Sequence, residues 1–198
     1  MKKTRNGVNR AAADQNTIRL IGGRWRGRKI SFPDGEGLRP TPARLRETLF
    51  NWLMHDVREA RVLDLFAGSG ALAFEALSRG AGTAVLVDRS PAVCSHLRRE
   101  LSTLPGADAQ VIGRDALAFV AAAGETPFDI VFLDPPFHQG LLPRIMGELD
   151  ANGFLRDGTW IYVESEAAPD VVPPSWQLHR RQQAGQVCCS LYLRQTVP

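Results

Sequence analysis

A mostly parallel α/β fold follows from three features of this 198-residue chain. From Arg61 onward, short unbroken apolar runs alternate with helical segments. The first run passes through a glycine-rich turn into a helix. Four successive runs end at or just before an aspartate. Apolar runs without polar alternation belong to strands covered on both faces, as parallel strands joined by helices are.

The elements can be placed in order. Residues 1–16, "MKKTRNGVNRAAADQN", are basic and have no apolar stretch, so they read as a flexible tail without a secretory signal. Residues 17–60 form an N-terminal extension. "TIRLIGGRWRGRKISF" gives two short strands around a Gly-rich turn. "TPARLRETLFNWL" gives a helix with Thr41 as N-cap and Pro42 at the first position. Leu45, Leu49, Trp52 and Leu53 then share one face.

Residues 61–198 hold the main domain. "RVLDLF", "TAVLVD", "AQVIG", "FDIVFLD" and "TWIYVESE" are strands. "GALAFEALSRGA", "SPAVCSHLRRELSTL", "DALAFVAAAG" and "QGLLPRIMGELDANG" supply the intervening helices, the second opened by Ser90 and Pro91. "WQLHRRQQAGQVCCSLYLR" lacks a helical period and reads as an antiparallel hairpin closing the sheet.

Composition sets limits on function. A hydrophobic share of 44% and a charged share of 23% suit a soluble domain with a sizeable core. No apolar run approaches the roughly 20 residues that span a bilayer. Cys94, Cys188 and Cys189 are odd in number and His55, His96, His138 and His179 are scattered. Neither a disulfide framework nor a metal site is expected, which fits a cytoplasmic setting. The net charge of +3 is uneven: residues 1–60 carry +7 and residues 61–198 carry −4. Arg24, Arg26, Arg28 and Lys29 surround Trp25 in a stretch without acidic residues. Arginine forks that grip phosphates and an indole that stacks on a base make this a candidate RNA-binding arm.

The glycine turn, "DLFAGSGALA", places Gly68, Gly70 and Ala73 in a G-x-G-x-x-A pattern between strand and helix. Small residues there let the backbone approach a nucleotide-like ligand. Asp88 ends the second strand, where a carboxylate accepts both hydroxyls of a ribose. These features leave NAD and S-adenosylmethionine both open. Asp115 at the third strand mouth can accept from an adenine amino group or simply cap the next helix.

The fourth strand ends in Asp134, Pro135, Pro136 and Phe137. An exocyclic amine on a base is a poor nucleophile because its lone pair is delocalised into the ring. The Asp134 carboxylate and the Pro135 carbonyl can each accept one of its N–H groups. Those bonds favour a tetrahedral nitrogen and stabilise the positive charge that grows on it during attack. Two prolines hold the carbonyl in place, and Phe137 offers a stacking face.

"DLFAGSG", "VDRS", "GRDAL" and "DPPF", in this order, resemble the S-adenosylmethionine-dependent amino-methyltransferases of the Rossmann-like class. "IRLIGGRWRGRKI", "LRPTPARLRETLFNWL", "IYVESE" and "GQVCCSLYLR" narrow the resemblance to the bacterial small-subunit rRNA guanine-N2 methyltransferases, from about Ile18 to Arg194. The resemblance implies a seven-stranded, mostly parallel sheet with a C-terminal antiparallel hairpin. It implies methylation of guanine 966 of 16S rRNA on 30S particles. A one-site cofactor crevice with RNA as the other substrate makes a monomer the simplest expectation. Asp64, Phe66, Ala67, Gly68, Ser69 and Gly70 would line the methionine part of the cofactor. Asp88 and Arg89 would hold its ribose, and Asp115 and Ala116 its adenine. Asp134 to Phe137 would hold the guanine, and Arg39, Pro40 and Thr41 would close over the cofactor. Cys189 departs from the pattern, standing where an aromatic residue is expected.

D-P-P-F by itself does not distinguish guanine N2 from adenine N6 or cytosine N4. A DNA adenine methyltransferase and a non-catalytic RNA-binding assembly factor therefore stay open. The short basic arm favours an RNA selected by shape over DNA read at base edges.

Overall fold

The computed structural model describes residues 16–33, 40–124, 126–137 and 139–196. Strands β1 (Thr17–Arg19) and β2 (Lys29–Ser31) pair antiparallel, and helix α1 (Ala43–Trp52) follows. The alternating part comprises β3 (Arg61–Asp64), α2 (Ala71–Ser78), β4 (Thr83–Asp88), α3 (Pro91–Ser102) and β5 (Ala109–Gly113). It continues with α4 (Ala116–Val120), β6 (Phe128–Leu133), α5 (Leu142–Ala151) and β7 (Leu155–Ser165). β8 (Trp176–Ala184) and β9 (Val187–Arg194) complete the chain.

Strands β3 to β9 form one seven-stranded sheet in the order β5-β4-β3-β6-β7-β9-β8. The first five in that order are parallel, while β9 runs antiparallel to both neighbours. This is the expected fold class. The chain winds outward from β3 to β5 and then resumes on the other side of β3 at β6. A sheet that reverses in this way opens a crevice outside the carboxyl ends of the two central strands.

Hydrophobic clusters cover both faces of the sheet. One holds Phe50, Val62, Phe74, Leu86, Phe132 and Tyr162, and the other Leu63, Val131, Ile145, Met146 and Val163. Phe132 meets Phe50 edge-on at 6.0 Å and Tyr162 edge-on at 6.4 Å, so three rings tie α1, β6 and β7 together.

The N-terminal hairpin shares the first cluster through Ile18, Leu20, Trp25 and Ile30. Polar contacts add to this attachment, most of all at Glu75. Glu75, a fully buried carboxylate on α2, accepts from the backbone N–H groups of Ile21 and Gly22 at 2.8 Å each. It also accepts from Arg79 at 2.8 Å and from Arg46 at 3.3 Å. Arg46 in turn donates to the carbonyls of Thr41 at 3.2 Å and Arg19 at 3.1 Å.

Three local expectations need correction. The boundary residue of α1 is Pro42, not Thr41, and no side chain caps the helix. Its buried side includes Phe50 and Arg46, whereas Trp52 is only half-buried, because the helix lies between the hairpin and the sheet. Strand β7 begins at Leu155 rather than Thr159, through a register irregularity between Phe128 and Ile130 of β6.

Candidate active site

The sheet order lines up the carboxylates that the strands carry. Across the carboxyl ends lie Asp115 beyond β5, Asp88 on β4, Asp64 on β3 and Asp134 beyond β6. Glu164 on β7 extends the row to a fifth parallel strand.

The turn from β3 into α2 is built by close approach. Gly70 has φ 75°, and a Cβ there would stand 2.4 Å from the Phe74 ring and 2.9 Å from Leu97. No side chain occupies the cap of α2. Asp64 compensates by accepting from the Ala73 N–H at 3.3 Å. Burial, with Asp88 and Glu164 adding to it against two backbone N–H bonds, pushes the Asp64 carboxyl up to about 7. Phe66 is half-buried against the second cluster, and Ala67 and Ser69 are buried in the turn.

Asp88 joins this turn to β4. It accepts from the Gly68 N–H at 3.0 Å and from the Ser90 N–H at 2.8 Å, one bond to each oxygen. Each carboxylate oxygen keeps a lone pair for a ligand hydroxyl. Arg89 is exposed beside it. Asp115 does cap α4, accepting from the Ala118 N–H at 3.1 Å through one oxygen, and its exposure leaves the other open to the crevice. Ala116 is buried behind it. A half-buried diol acceptor, a glycine turn with free backbone approach and an exposed acceptor one strand further on suit a ribose and a purine. Among the described residues no group of three or more metal-ligating side chains occurs, and no helix is long and apolar enough to cross a membrane.

At the β6 mouth Asp134 is half-buried, Pro135 buried, Pro136 exposed and Phe137 half-buried. The Thr41 hydroxyl, freed from the helix cap, donates to Asp134 Oδ2 at 3.4 Å. Burial pushes the Asp134 carboxyl well above the usual range, and Glu164 and Asp64 push it further while Thr41 opposes. Glu164 is raised as well, chiefly by burial, with the Tyr162 and Thr41 hydroxyls opposing.

The arm is placed differently from expectation in one respect. Trp25 is 8% exposed and belongs to the core, with the Arg24 guanidinium over its ring at 4.2 Å. It is not presented for stacking on a base. Arg24 also donates to the Gly106 carbonyl at 2.9 Å. Arg26 and Lys29 are exposed and Arg28 is half-buried. Arg39 lies outside the described residues. A cavity of about 490 Å³ opens between the hairpin and the start of α1, with Arg19, Arg26 and Thr41 in its walls. Thr41 thus links the arm's cavity to Asp134.

No sequence motif marks Glu164, Tyr162 or Glu75. Glu75 had a visible signal, a lone carboxylate in an otherwise apolar helical segment, which demands a buried partner. Cys189 is buried in the middle strand of the β7-β9-β8 group and lies opposite Glu164, so it is neither at the sheet edge nor exposed.

Fold and site together define a Rossmann-like, S-adenosylmethionine-dependent methyltransferase. The family model described as "Conserved hypothetical protein 95" matches residues 18–193, and the chain belongs to that family. It is 51% identical over 180 residues to the Ribosomal RNA small subunit methyltransferase D of Escherichia coli, covering 90% of each chain. The Haemophilus influenzae protein of the same name is 42% identical, over 88% of this chain and 93% of that one. A solved Escherichia coli chain at 51% identity superposes with a TM-score of 0.85, covering 90% of this chain and 98% of that one. A Thermus thermophilus 16S rRNA N2 G1207 methyltransferase, solved with AdoMet and guanosine, shares the fold at a TM-score of 0.65 and 23% identity, covering 90% of this chain and 50% of that one. These relationships support methylation of small-subunit rRNA.

Proposed function

We propose that the protein methylates the exocyclic N2 of guanine 966 in 16S rRNA, acting as a monomer on 30S particles. The observation that carries this reading is Asp134, held at the mouth of β6 beside the β3 reversal by a proline pair. When bound, S-adenosylmethionine supplies an electrophilic methyl group. Asp88 receives the ribose hydroxyls and the open oxygen of Asp115 the adenine amine. Asp64 and the Phe66–Gly70 turn enclose the methionine end, with Arg39 to Thr41 closing over it.

The target guanine leaves its stack to reach the crevice. Asp134 and the Pro135 carbonyl accept its two amine protons, and Phe137 stacks on the ring. Much of the acceleration then comes from positioning and from exclusion of water. No side chain forms a covalent intermediate. Arg26, Arg28 and Lys29 contact phosphates of the same RNA.

The test is incubation with labelled cofactor and undermethylated 30S particles, in parallel with naked rRNA and DNA. Label confined to the 30S particles and mapping to guanine 966 is the expected result. Label on DNA adenine, or no cofactor binding at all, would overturn it.

A further inference from the structure

Glu164 has no part in the mechanism above, yet it stands beside its central carboxylate. Leu133 of β6 pairs with Val163 of β7, so Asp134 and Glu164 follow one another on adjacent strand ends. Glu164 is 3% exposed. Its Oε1 accepts from the Tyr162 hydroxyl at 3.0 Å, and Cys189 on β9 lies opposite Glu164 in the ladder. On the other side, the Thr41 hydroxyl donates to Asp134 at 3.4 Å.

Two carboxylates at adjacent, buried strand ends repel one another when both are ionised. The ionised pair therefore takes up one proton more readily than either group would alone. The surrounding charges favour holding that proton. Asp64 faces the pair from β3 and is itself close to Asp88 of β4. Cys189 adds a buried thiol from β9, with Cys188 next to it. The cation nearby, Arg46 of α1, bonds the Thr41 carbonyl and directs its charge to Glu75.

We infer that Asp134 and Glu164 form one proton-sharing pair at the adjacent ends of β6 and β7, in which Glu164 is the positioning residue and the pair receives the proton that the methylated amine gives up. This rests on the proposed amine methylation. The nitrogen–carbon bond forms as the carbon–sulfur bond breaks, and sulfur keeps the bonding pair. The nitrogen then releases one proton to the ionised pair through Asp134, and the pair later returns it to water. Adjacent carboxylates that raise one another's affinity for a proton make a better acceptor than an isolated aspartate.

Glu164→Gln in the full chain tests the assignment. Single-turnover methylation of 30S particles is followed from about pH 5 to pH 9, spanning both limbs of an acid–base profile. The acid limb should move down by about one pH unit or more as Asp134 loses its like-charged neighbour. The plateau rate should fall about tenfold or more with the weaker acceptor, and S-adenosylmethionine affinity should stay within about twofold, the chain's cofactor contacts being intact. An infrared titration of carboxyl groups labelled at aspartate and glutamate reads the pair without turnover. The wild-type protein should keep a protonated-carboxyl band above the ordinary carboxylate range; Glu164→Gln, which removes a like charge, should move its aspartate component down, and Thr41→Val, which removes an opposing donor, should move it up. An unmoved acid limb with an unmoved band overturns the inference. Should Glu164→Gln not fold, the wild-type titration decides alone: aspartate and glutamate bands that change together over one pH range support the pair, and independent changes overturn it. Should the wild-type protein leave 30S guanine unmethylated, the substrate reading fails, and the infrared titration still decides the pair.

Discussion

Glu75→Gln is the perturbation whose cost can be worked most directly. Glu75 is fully buried and takes four donors: two backbone N–H groups, Arg79 and Arg46. Glutamine keeps the volume but turns one acceptor into an NH₂ group aimed at other donors. It also removes the charge that balances Arg46, which is 2% exposed. Breaking a buried pair from one side costs about 3–5 kcal/mol. A domain is stable by only about 5–15 kcal/mol. With a urea dependence of about 2 kcal/mol per molar, the unfolding midpoint should fall by about 1.5–2.5 M. The loss should be localised first, with the Ile21 and Gly22 amides exchanging hydrogen faster than the amides of β3 and β6. A midpoint shift below about 0.5 M, with those two amides still protected, would refute the reasoning.

Asp134→Ala should lower methyl transfer by at least about 10²- to 10³-fold, with cofactor affinity within about threefold by calorimetry because Asp134 is assigned to the base. Removing both Arg26 and Arg28 should flatten the log–log salt dependence of RNA binding by about 1.4 units if the contacted RNA is single-stranded; an unchanged slope would remove the arm from the interface. Asp64 gives a pH prediction. Its folded carboxyl keeps a proton up to about pH 7, whereas the unfolded one loses it near 4. Its contribution to stability is therefore full below about pH 4 and is lost as pH rises through about 7. Asp64→Asn should flatten the decline of unfolding free energy between those limits, a term of about 4 kcal/mol at most; an unaltered decline in urea titrations would contradict the assignment.

The sheet and its crevice were legible because their signals are local. Each apolar run, the glycines of the β3–α2 turn and the aspartates at four strand ends are properties of a few adjacent residues. The aspartates needed only the parallel topology to bring them together. Trp25 was misread for the opposite reason. Its neighbours Arg24, Arg26 and Arg28 are basic, and its burial comes from α2 and its surroundings, where the Ser78 hydroxyl accepts from the Trp25 backbone N–H at 3.0 Å. Thr41 carried a cap signature, but the chain enters α1 one residue later and spends the hydroxyl on Asp134. The role of Glu164 depends on the register of β6, β7 and β9, three strands that are adjacent in space and far apart in the sequence. Nothing within "IYVESE" announces which acidic residue faces inward.

The role proposed for Asp134 and its proline turn is to present the N2 of a small-subunit guanine for methylation. Nucleoside mass spectrometry of 16S rRNA from undermethylated 30S particles, after single-turnover reaction with isotopically labelled S-adenosylmethionine, tests it most directly. Labelled N2-methylguanosine from one position is expected with the wild-type protein, and essentially none with Asp134→Ala. Label on another base, or undiminished N2-methylguanosine from the variant, would contradict it.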